Sequence, residues 1–86
     1  MTKQQAGQIA QDIQAAIVAA YAPYKQQGVK RRFRIRLSAT VESAFWEHFP
    51  DDYIDGRARG HPVVLDTSIP FAPPASPGWA IESAPA

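Results

Sequence analysis

Apolar residues alternate with arginines between positions 32 and 37, in the order Arg32-Phe33-Arg34-Ile35-Arg36-Leu37. Successive side chains on a strand point to opposite faces, so this spacing predicts a strand over 30–38 with two unlike sides. Phe33, Ile35 and Leu37 belong to a core. The arginines form a ladder whose rungs stand about 7 Å apart, two residues of strand rise.

Towards the N-terminus the period changes. Ala6, Ile9, Ile13, Ala16 and Ala20 recur at helical spacing, and Ala10, Ile17 and Tyr24 widen the stripe. Gln4, Gln8, Gln11, Asp12 and Gln14 fall mostly off it. This predicts an amphipathic helix over 2–21, favoured by its many alanines. Thr2 and Gln5 have the spacing of a capping box. A residue before proline avoids the right-handed helical region, so Pro23 predicts an end or a kink near Ala22. Residues 24–27 add one further turn, and Gly28 is a natural stop. The run is too short for several heptads, so the stripe faces a core and not a coiled-coil partner.

Beyond the strand, Val41, Ala44, Phe45 and Phe49 share one face of a short helix over 41–49. Thr40 stands as its N-cap, Glu42 suits its dipole and Pro50 ends it. Trp46 sits beside that face, at its rim. Residues 51–60 form a polar connection pinned by Tyr53 and Ile54, and Gly56 and Gly60 bracket Arg57 and Arg59 in an expected mobile tip. Val63, Val64 and Leu65, between Pro62 and Pro70, predict a second strand over 62–69. Asp66 faces an arginine of the first strand if the two strands are neighbours. Prolines 70, 73, 74 and 77 favour an extended, polyproline-like path that wraps its own domain, with Phe71 and Trp79 as plugs. Residues 79–83 are a candidate third strand, and the last residues fray.

The fold predicted is α+β: a long N-terminal helix packed on a small two- or three-stranded sheet, with a second short helix and a Pro-rich C-terminal segment. Residues 1–69 make one domain and 70–86 dock on it. Sequential antiparallel pairing is the default. The helix between the first two strands also permits a right-handed parallel crossover.

Composition narrows the chemistry. A chain of 86 residues supports one domain with a thin core. It contains no cysteine, which excludes disulfides and thiolate metal sites. No apolar run approaches the roughly 20 residues that span a bilayer, and no leader pattern is present, so a cytoplasmic chain without a membrane partner is expected. The net charge of +1 conceals a segregation. Most cations lie between 30 and 59, with Glu42, Glu47, Asp51, Asp52 and Asp55 between their two clusters.

Guanidinium groups suit phosphate, and phosphate contacts dominate nucleic-acid affinity. Lys30, Arg32, Arg34, Arg36, Arg57, Arg59 and Trp46 are therefore the candidate binding residues, and the partner expected is nucleic acid or an acidic protein surface. No RNP1, KH, zinc-finger or basic-zipper pattern occurs. His48, His61, Glu47 and the aspartates lack metal-ligand spacing, so neither a metal nor another cofactor is expected. The expected function is a non-enzymatic binding protein for nucleic acid or a nucleoprotein. Small size and the absence of cysteines and catalytic motifs are shared by many accessory proteins of phages and mobile elements, inhibitors of host defence among them. One alternative is a protein–protein adaptor acting through exposed aromatics and the Pro-rich segment. Another is a metal-independent ribonuclease with His48 and His61 as base and acid, and Arg34 or Arg36 on the phosphate.

Overall fold

The alternation around Phe33, Ile35 and Leu37 positions everything else. The computed structural model describes residues 1–54, 57, 58 and 61–84, the side chains of residues 54, 57, 58 and 84 excepted. In chain order the elements are α1 (Lys3–Gln26), β1 (Arg32–Leu37), α2 (Ala39–His48), a 3₁₀ turn (Pro50–Asp52), β2 (Tyr53–Ile54), β3 (Arg57–Ala58), β4 (His61–Leu65), β5 (Phe71–Ala72), β6 (Ser76–Pro77) and β7 (Trp79–Ala84). The fold is α+β, as the pattern predicts. Five strands form one sheet in the order β2-β3-β4-β1-β7, and β5 pairs with β6 separately.

Strand β1 lies between β4 and β7. It runs parallel to β4, with Ile35 opposite Val63 and Leu37 opposite Leu65. It runs antiparallel to β7, with Ile35 opposite Ile81 and Leu37 opposite Trp79. The parallel pair departs from the sequential antiparallel default. Helix α2 is the reason: its 10 residues, rising about 15 Å, return the chain to the end where β1 began. The third strand is real and reaches Ala84.

Helix α1 starts where the capping box places it. Thr2 Oγ1 accepts from the Gln5 N–H at 3.1 Å, and Gln5 Oε1 accepts from the Thr2 N–H at 2.9 Å. Pro23 does not end it: the helix continues to Gln26, through the further turn expected over 24–27. Proline forgoes one backbone donor, yet the last turn is held on both sides. The Gln27 N–H reaches the Pro23 carbonyl at 3.3 Å, and the Val29 N–H reaches the Tyr24 carbonyl at 2.9 Å. The Tyr24 ring also packs against Phe33, with centroids 6.4 Å apart. Gly28, at φ +70°, then turns the chain back as predicted.

Helix α2 begins two residues before its predicted start, and Ser38, not Thr40, is its N-cap. Ser38 Oγ accepts from the Val41 N–H at 3.3 Å. The Ser38 N–H donates to the Gly78 carbonyl at 2.8 Å, which holds it extended at the end of β1 and passes the chain straight into the helix. Strand β4 stops at Leu65, short of the predicted 69, because Asp66 closes a turn. Its Oδ1 accepts from the Ser68 N–H at 2.9 Å, and its carbonyl accepts from the Ile69 N–H at 3.2 Å. The proline segment folds back as a two-residue ladder, Phe71 opposite Pro77 and Ala72 opposite Ser76, in place of one extended run.

The core draws Ala6, Ile13 and Ile17 from α1, Val41, Ala44 and Phe45 from α2, the three apolar residues of β1, and Tyr53. Phe71, Trp79 and Ile81 pack against it while partly exposed. Both helices thus cover one side of the sheet, and the arginine side is left open.

Candidate functional site

The open side is set by register. Glu82 stands opposite Arg34 across the antiparallel β1–β7 pair. Asp66 follows β4 directly, and its N–H donates to the Leu37 carbonyl at 2.8 Å, which brings its carboxylate beside β1. The result is a line of alternating charge. Arg34 Nη1 meets Glu82 Oε1 at 2.9 Å, Arg36 Nη1 meets Glu82 Oε2 at 3.2 Å, and Arg36 Nη2 meets Asp66 Oδ2 at 2.9 Å. Two cations and two anions cancel there. The arginines remain partly exposed, so each pair contributes only about 0.2–1 kcal/mol. Arg36 spends both Nη groups on these carboxylates, and its buried Nε has no hydrogen-bond partner among the described residues. The pairing of Asp66 with an arginine of the first strand is as the sequence suggests. The double engagement of Glu82 is not among the sequence expectations; its one signal is that Glu82 is the only acid in residues 70–86.

Hydrogen bonds from the Ser68 hydroxyl and N–H hold the Asp66 carboxyl below the usual carboxylate range, and the Arg36 charge adds to them against a smaller desolvation effect. A depressed folded pKa contributes stability that is complete above the unfolded value, about 3.9, and is lost as pH falls through the folded value. Asp66→Asn is therefore expected to flatten the acid limb of stability below about pH 4. Urea unfolding across that range checks it, and an unchanged acid limb would contradict the assignment.

Farther back along the ladder the cations are not paired in this way. Lys30, Arg31 and Arg32 are exposed. Among the described residues no carboxylate lies within ion-pair distance of them. Arg32 stands opposite Ala84. The Arg31 guanidinium lies over the Tyr24 ring, 5.2 Å from its centroid, a contact that attracts the cation without neutralising it. Positive charge with no paired carboxylate among the described residues is thus gathered at the entry to β1. Arg59 and the expected mobile tip at 56–60 fall outside the described residues, apart from the backbone of Arg57 and Ala58 in β3.

The remaining candidates lie elsewhere. Trp46 is carried by α2, on the helix-covered side of the sheet; it is 49% exposed, with its ring 4.8 Å from that of Tyr53. Burial and the nearby Glu42 charge push the Tyr53 hydroxyl up to about 12. His48 Nε2 lies 3.0 Å from the Met1 carbonyl. His61 lines a cleft on the helix side with Ile35 and Leu37, whereas Arg34 and Arg36 project from the other face. The ribonuclease constellation is not assembled by this geometry. Among the described residues no group of three or more His, Cys, Asp or Glu side chains is placed to hold a metal ion, and no helix is long and apolar enough to cross a membrane. Compared with protein families, with curated proteins and with solved structures, the chain matches none.

Proposed function

We propose that this chain is a non-enzymatic binding protein that grips the phosphate backbone of a nucleic acid through Lys30, Arg31 and Arg32. The observation that carries this reading is the contrast between β1 and the residues that lead into it. Arg34 and Arg36 are satisfied by Glu82 and Asp66, while the three preceding cations are exposed with no carboxylate within reach among the described residues. Arginine presents a planar fork of donors that matches phosphate oxygens two at a time. Arg31, seated over Tyr24, has less conformational freedom to lose on binding. The adaptor alternative is weakened because Phe71 and Trp79 pack on the chain's own core.

Three phosphate contacts predict a salt slope near −3 in log affinity against log salt on duplex DNA, about 0.9 per contact. Fluorescence anisotropy with a labelled duplex should show that slope. Arg31→Glu with Arg32→Glu should abolish binding, whereas Trp46→Ala should leave it unchanged. Binding insensitive to salt, or surviving the double charge reversal, would overturn the proposal. Equal affinity for polyglutamate would also overturn it, since the phosphate fork would then contribute nothing.

A further inference from the structure

A cleft of about 260 Å³ opens between α1, α2 and the sheet, at the β1–β4 pair. Its floor is apolar, made of Ile13, Ile35, Leu37, Phe45 and Val63, and its polar lining includes Asp52 and His61. Asp52 is the one lining residue with a formal charge among those described, and neither lysine nor arginine joins it.

We infer that this cleft binds a small aromatic or branched aliphatic amine of about ten heavy atoms, its apolar body on the floor and its ammonium group at Asp52. Size sets the first half. A cavity of about 150 Å³ takes benzene, so the volume here holds a body about half as large again plus a short arm. Charge sets the second half. A carboxylate head would meet the Asp52 anion with no lysine or arginine among the described lining residues to offset it, whereas an ammonium meets a carboxylate. The His61 ring supplies a further hydrogen-bonding group in the lining. The inference uses the helix side of the sheet and stands independently of the cationic entry to β1.

The test uses three probes with a phenyl ring on a two-carbon arm and different charge: 2-phenylethylamine, 2-phenylethanol and phenylacetate. Amide shifts in a ¹⁵N spectrum of the whole chain are followed during titration. A ligand of this size is expected to bind with a dissociation constant of about 1 mM. The amine should shift Ile13, Leu37 and Val63 saturably, and phenylacetate should bind more weakly by about two- to fivefold, the range an exposed carboxylate supplies. Asp52 is exposed, so Asp52→Asn should fold normally. It should bring the amine down to the affinity of 2-phenylethanol and leave 2-phenylethanol unchanged. Ala10→Phe, which fills the cleft, should remove binding of all three probes. Saturable shifts absent for every probe would overturn the inference. So would phenylacetate binding as well as the amine, or an amine preference that survives Asp52→Asn. The Asp52 comparison decides the matter even where Ala10→Phe does not fold.

Discussion

Leu37→Ala is expected to destabilise the protein by about 3–5 kcal/mol, in the upper range for removal of a buried leucine. Leu37 is 0% exposed and ends the central strand, with Leu65 on one side and Trp79 on the other. Val41 of α2 is likewise 0% exposed, so truncation removes packing between the sheet and α2 and widens the cleft that Leu37 also lines. The surroundings are ordered backbone in three strands and a helix, and cannot collapse far into the space. A chain of 86 residues has a total stability of about 4–13 kcal/mol. The substitution therefore removes a large share of it, and for a domain of this size each kcal/mol lowers the melting temperature by about 4–8 °C. Thermal and urea unfolding measure the loss. Leu65→Ala is the control: it removes the same atoms from the same rung at a position 48% exposed, and should cost under about 1.5 kcal/mol. Equal losses at the two positions would mean that enclosure under the helices does not decide the energetics of this strand.

The contrast between the two leucines also shows which features are legible in the sequence. The inward turn of Phe33, Ile35 and Leu37 follows from a period of two, a local property that needs no knowledge of neighbours. The capping box at Thr2 and the stop at Gly28 are local in the same sense. Expectation and structure part where a distant segment makes the choice. Thr40 has the right chemistry for an N-cap, but the Gly78 carbonyl, forty residues from Ser38, holds Ser38 in that role. Pro23 weakens a helix by itself, but the contact of Tyr24 with Phe33 keeps the last turn in place. The pairing direction of β1 and β4 is decided by the crossover through α2, which the sequence leaves open.

The charged face divides in the same way. Its cations are visible as a run, because they are adjacent in the chain. Their partners are only partly visible. Glu82 lies 48 residues from Arg34 and 46 from Arg36, and it reaches both only because β7 pairs antiparallel with β1 in one particular register. Slipping that register by one residue would turn Glu82 to the core side and leave both arginines without it. A run of like charge in sequence is therefore not yet a field in space. What distinguishes Lys30, Arg31 and Arg32 from Arg34 and Arg36 is the absence of an acid at the matching height among the described residues, a property of the folded sheet alone.

Gly78→Ala is expected to cost about 2–5 kcal/mol, because Gly78 joins three elements at one point. Its φ of +85° lies in the left-handed region, which costs an alanine about 1–2 kcal/mol. There is also no room for the methyl group. A Cβ would stand 2.6 Å from Phe71 Cδ1, 2.9 Å from Ser38 Oγ and 2.9 Å from Val41 Cγ2. Overpacking of this kind adds about 1–3 kcal/mol. The displaced atoms matter individually: Phe71 begins the β5–β6 ladder, Ser38 caps α2, and Val41 is enclosed in the core. Gly28→Ala separates the two contributions. Gly28 has a similar φ of +70°, but a Cβ there would meet nothing within 4 Å, so it should show the conformational cost alone, about 1–2 kcal/mol. Urea unfolding of both variants gives the difference, and amide exchange locates it. The Val41 N–H, which donates to Ser38 Oγ at 3.3 Å, should exchange faster in Gly78→Ala and at the normal rate in Gly28→Ala. If the two variants lose equal stability, Phe71 moves aside at no cost, and the junction of β7, α2 and the proline ladder is looser than its contacts imply.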